Sequence, residues 1–210
     1  MSSPARTRTS TSTPAQWALV SGAAGLVAGL TLLLFFALAA PFDDVPSSWD
    51  WLGPTNDLTG ALQSAALVPV ALALLRSMPG SRVVRRWTRV GVPAMVVGSA
   101  LGVALVVGLL PFPVQAPLVT SCIFLQFGWL FAVNRAGLRL GVLPPAVART
   151  GMRVSLGLAV AAALALPALL LPRGSVGQYL LFGSAALPGL VAWLGFPAWA
   201  VLLARRLPSL

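Results

Sequence analysis

Every carboxylate side chain of this protein lies in one stretch, PFDDVPSSWDWLGPTNDLTG at residues 41–60, which carries Asp43, Asp44, Asp50 and Asp57; the rest of the chain has no Asp and no Glu. Carboxylates can hold a divalent cation or transfer a proton. Asp43, Asp44 and Asp50 are the candidate metal ligands, but their spacing lacks the alternating D-x-D-x-D of a calcium loop, so a solvated acidic loop is the default reading. Asp57 is the candidate catalytic acid/base, with no second catalytic group beside it. The same segment also reads as a helix start. Thr55 or Asn56 would accept a bond from an orphan backbone N–H, and Asp57 in the first turn would favour the positive dipole end.

What is missing narrows the chemistry further. The chain has no His, Lys or Glu; its 14 basic residues are all Arg. Without His there is no imidazole for haem or zinc and no Ser-His triad, and without Lys there is no Schiff base or Ser-Lys dyad. No Walker or dinucleotide glycine motif opens a helix in a soluble segment, so an ATP-driven engine within the chain is excluded. The Asp-rich motifs with which prenyltransferases and CDP-alcohol phosphotransferases hold Mg²⁺ are absent. No cofactor is expected. The single cysteine, Cys122, permits no internal disulfide.

The elements that must position these residues are membrane spans. The chain is 58% hydrophobic and 9% charged, against roughly 25% charged in a soluble domain. Residues 1–16 are rich in Ser, Thr and Pro and read as a disordered tail. Six apolar runs follow, at about 17–40, 58–76, 91–110, 116–134, 153–171 and 178–204, each near the ~20 residues that cross the hydrocarbon core. The fold class expected is therefore all-α, a polytopic transmembrane bundle over 17–206. The last run carries Pro188 and Pro197 and should tilt or kink. ALAAPFDD resembles a cleavage site, but the run Trp17–Ala40 exceeds the ~7–15 residues of a signal core, which favours an uncleaved first helix.

Arginine placement orients the spans. Arg6 and Arg8 precede the first, Arg76, Arg82, Arg85, Arg86 and Arg89 follow the second, Arg135, Arg139, Arg149 and Arg153 follow the fourth, and Arg205 and Arg206 follow the sixth; only Arg173 lies in an alternate loop. Six spans put nearly all basic residues on one side, which the positive-inside rule makes the cytoplasm, with both termini inside and the acidic loop 41–57 outside. The formal charge of +10 therefore points to anionic lipid headgroups at Arg82, Arg85, Arg86 and Arg89, not to nucleic acid.

Polar residues within the spans are few. Asn56, Gly60, Gln63 and Leu67 share one helical stripe. At ~1.5 Å per residue, Gln63 lies roughly 9 Å and Gln126 roughly 15 Å below the outer surface, so their side chains can meet. One reading is interhelical hydrogen bonding, worth ~0.6–2 kcal/mol per bond. The sharper one is an outward-facing pocket for a lipid headgroup or a small cationic or polar ligand, built from Asn56, Asp57, Gln63 and Gln126. Ser21, Gly25 and Gly29, and Gly98 with Gly102, are stripes of small residues that let helices approach closely.

The segments PTNDLTGALQSAALVPVALAL, FGWLFAVNRAGLRLGVLPPAVARTG and GFPAWAVLLARRL resemble those of uncharacterised six-span bacterial integral membrane proteins grouped as domains of unknown function. The likeness covers most of residues 17–206, with Pro145-Ala146-Val147 departing from the basic residue expected after Leu-Pro. It implies a six-helix protein of the bacterial cytoplasmic membrane and transfers no catalytic residue. Three functions stay open: a non-enzymatic scaffold, partner of another membrane protein or lipid- or small-ligand-binding module; an enzyme on a lipid or isoprenoid substrate using Asp57; and a channel or facilitator.

Overall fold

The computed structural model describes residues 13–39, 47–168, 170–172 and 174–207. Among them are six long helices and no strand: α1 (Pro14–Leu34), which runs on through a wider π-helical turn at Phe35–Ala39, α2 (Leu52–Ser77), α3 (Arg82–Val106), α4 (Phe112–Arg139), α5 (Pro145–Ala168) and α6 (Val176–Ala204). All six are long and apolar enough to cross a membrane. Asp43, Asp44, Arg6, Arg8 and Arg173 lie outside the described residues.

Several helices reach beyond the runs that hydropathy marks. α3 starts at Arg82 rather than Gly91, α5 at Pro145 rather than Arg153, and α4 continues past Asn134 to Arg139. Arginines expected in loops therefore stand on helical turns. Hydropathy reports only the hydrocarbon zone, whereas Arg is a good helix former whose long side chain reaches the headgroups from a turn still inside it. α2 likewise begins at Leu52, after Trp51 and without a side-chain cap. Thr55 Oγ1 donates to Trp51 O at 2.9 Å, so Thr55, Asn56 and Asp57 sit inside the helix and the expected capping role fails.

The ends that are capped are well made. Thr13 and Gln16 form a reciprocal capping box on α1, and Ser81 and Ser175 accept from the third residue of α3 and α6. Gly141, at φ 67°, ends α4: Val142 N–H donates to Gly137 O and Gly141 N–H to Leu138 O, a closure that needs a left-handed residue.

Each helix packs on its neighbours in sequence, and α1 also packs on α6, so the six close into a ring. Pro14, Arg76, Ser77 and Leu207 line a common groove, which puts the start of α1, the end of α2 and the end of α6 together. All described arginines lie in that half of the bundle. Contacts between helices rely on small residues. Gly22 and Gly25 face Val201 and Pro197 of α6, Gly29 faces Leu194 and Trp193, and Gly98 and Gly102 face Cys122 of α4 and Ala61 of α2. Large apolar side chains such as Leu30, Phe36, Val103, Leu118, Leu156 and Leu187 are exposed around the outside, the distribution expected where lipid is the solvent. α6 runs unbroken through Pro188 and Pro197.

Aromatic residues fill the axis of the ring in the arginine half. Phe196 stacks on Trp199 at 5.8 Å and lies 5.2 Å from Phe127, and Trp199 meets Trp129 edge to face at 6.2 Å. Trp199 Nε1 donates to Asn134 Oδ1 at 3.0 Å, Asn134 Nδ2 to Leu130 O at 2.8 Å and Trp129 Nε1 to Thr88 Oγ1 at 3.3 Å. Trp129, Trp199 and Asn134 are fully buried, and both indole N–H groups and the Asn134 carboxamide are hydrogen-bonded, as a buried group in lipid requires.

Candidate functional site: an axial polar cavity

In the opposite half of the bundle the axis is not filled. A cavity of about 110 Å³ opens there, lined by residues of α2, α3, α4 and α6, several times the ~10–15 Å³ that one water needs. Small residues line it, Gly60 and Ala61 from α2 and Gly98 and Gly102 from α3, but a Cβ on Gly98 or Gly102 would meet Cys122 or the Asp57 carbonyl rather than the space. A Cβ added to Gly60 would meet nothing within 4 Å. The floor is Phe127, Trp193 and Phe196, the top of the aromatic plug.

The four residues expected to form a pocket, Asn56, Asp57, Gln63 and Gln126, all line this one cavity, together with Ser64 and Gln115. Asn56 and Asp57 stand half-exposed on the second turn of α2, with Asn56 Nδ2 donating to Asp57 Oδ1 at 3.4 Å. One turn to two turns deeper, Ser64 Oγ donates to Gln126 Oε1 at 3.3 Å. Gln63 does not meet Gln126 as the depths allowed. Its side chain lies over Gly25 of α1, and its backbone carbonyl accepts from Ser21 Oγ at 3.0 Å. Leu67, the fourth member of the sequence stripe, is fully buried in the core and does not line the cavity.

Gln115 was not anticipated. It lies four residues into α4, on a turn that hydropathy assigns to the preceding loop, and it is 96% buried against an exposure of 4%. Pro111 and Pro113 in PFPVQ were the available signal, since Pro marks the first turn of a helix. Neither the Gln63 nor the Gln115 carboxamide has a hydrogen-bond partner among the described residues, while every fully enclosed polar atom has one. The unbonded amides are those that border the cavity. Among the described residues Asp57 has no ion-pair partner, and no second titratable side chain lines the space, which leaves a proton-transfer role without a partner group.

Other polar side chains face elsewhere. Asp50 Oδ2 accepts from Ser47 N–H at 3.0 Å, closing a turn before α2, and the described residues hold no cluster of three metal-ligating side chains. Thr120 and Ser184 are exposed, Ser121 back-bonds to Pro117 O, and Gln178 reaches back from the first turn of α6, accepting from Gly174 N–H and donating to Ala168 O. Arg82, Arg85, Arg86 and Arg89 are all exposed on the first turns of α3. Set beside other proteins, no family model, no curated protein and no solved structure matches this chain.

Proposed function

We propose that this chain is a non-enzymatic binding module of the cytoplasmic membrane, which takes a small polar group into the axial cavity from the side opposite its arginines. In this reading the termini and the arginine-rich turns face the cytoplasm, and the cavity opens outward. One observation carries it: among the described residues every enclosed side-chain polar atom is bonded, whereas the carboxamides of Gln63 and Gln115 have no partner and border the open space instead. Helix–helix bonding alone would have paired them, because an unsatisfied polar group in an apolar setting costs about 1–3 kcal/mol. The plug of Phe127, Phe196, Trp129 and Trp199 below the cavity favours binding over a continuous path.

Native mass spectrometry of the protein released from its own membrane in mild detergent tests the reading. A stoichiometric small-molecule or lipid adduct that is lost in Gly60→Leu, whose new side chain fills the cavity, is the expected result. An adduct unaffected by Gly60→Leu, or a second polypeptide with no adduct at all, would point to a scaffold instead.

A further inference from the structure

Resting on the reading of the cavity as a binding site, we infer that its ligand carries an ammonium group, either as a free amine or as a lipid headgroup. The cavity holds one carboxylate and no cation. Asp57 is half-buried, its hydrogen bond from Asn56 is long at 3.4 Å, and every described arginine lies in the other half of the bundle. A carboxylate at the cavity mouth attracts a cation and repels an anion. A phosphate, sulfate or carboxylate ligand would bring like charge to Asp57, which disfavours an anionic ligand.

The other walls suit the same chemistry. The carboxamide oxygens of Gln63 and Gln115 are free to accept N–H groups, and an amide turns either end toward its ligand at no cost in shape. Trp193, Phe127 and Phe196 present aromatic rings to the cavity, and ring faces attract ammonium groups and their methyl substituents. Phe196 is held between Phe127 and Trp199, so this wall is fixed before any ligand arrives. The volume admits a small head of a few heavy atoms, the size of ethanolamine or choline, and not a polyamine chain or a sugar chain.

The test uses the full-length protein in phosphatidylglycerol nanodiscs and reads the rise in melting temperature that a ligand of the folded state produces. Ethanolamine and choline are titrated against uncharged counterparts of similar shape, propan-1-ol and 3,3-dimethylbutan-1-ol. In a second arm, phosphatidylethanolamine or phosphatidylcholine replaces part of the lipid. The expected result is that the amines, or the zwitterionic lipids if the source is a headgroup, stabilise the protein at concentrations about tenfold or more below the uncharged compounds, and that Asp57→Asn removes this difference. Equal stabilisation by charged and uncharged compounds, abolished by Gly60→Leu, would overturn the ammonium assignment and leave the cavity as a site. No stabilisation by any probe would overturn the assignment too; the adduct seen by native mass spectrometry then decides whether the binding reading survives it.

Discussion

Asn134 and Trp199 carry the polar chemistry of the filled half, and each is only as stable as its partner. Replacing Asn134 with Leu leaves the fully buried Trp199 Nε1 without an acceptor, at a cost of about 1–2 kcal/mol. The expected outcome is a melting temperature lower by a few degrees in detergent, with Trp199→Phe alone costing less because it removes the donor together with its need. Two glycines make a sharper contrast. A Cβ at Gly91 would lie 2.8 Å from Trp129 Cβ, inside the plug, whereas one at Gly60 meets nothing within 4 Å. Gly91→Ala should therefore destabilise by about 1–3 kcal/mol through overpacking. Gly60→Ala should be neutral or slightly stabilising, since Ala is the better helix former. Thermal unfolding of the pair checks both, and equal losses would mean that the space beside Gly60 is not open.

At the scale of helices, α1 deserves its place in the ring through what it lacks. Gly22 and Gly25 bring its backbone against α6 at Val201 and Pro197, and Gln63 of α2 lies over Gly25. Gly25→Leu forces α1 away from both neighbours and displaces Gln63 from the cavity wall. The expected effect is a loss of thermal stability together with a loss of the cavity adduct, whereas Gly22→Leu lowers stability without touching the wall of the cavity. Comparing the two variants by melting temperature and native mass spectrometry separates packing from binding. The same scale explains why hydropathy sets the helix ends too far inside. The hydrophobic run stops where water begins, but backbone hydrogen bonding does not, so α3, α4 and α5 carry their arginines on continuing turns and α2 swallows the Thr55-Asn56-Asp57 segment that resembled a cap.

For the whole molecule, the division into an arginine half and a cavity half implies an orientation that labelling can read. In a Cys122→Ser background, with the protein in intact cells, an impermeant maleimide should label Ser48→Cys, which is exposed before α2, and should leave Gly80→Cys, exposed between α2 and α3, unlabelled until the cells are opened. The reverse pattern would place the cavity on the cytoplasmic side. The sequence by itself determined the class and the number of helices, because the length of an apolar run and the side on which arginines collect are local properties that lipid reads one segment at a time. It also named four of the polar residues that share the cavity, since an amide inside an apolar run stands out whatever its neighbours are. Only the tertiary structure decided that the axis of the ring is blocked by Trp129 and Trp199 at one end and left open beside Gly60 at the other, and that Gln115 joins the wall. Whether a glycine closes a helix pair or opens a space, and whether a tryptophan faces lipid or a partner helix, depends on residues brought together from four different helices, and no single run of sequence contains that information.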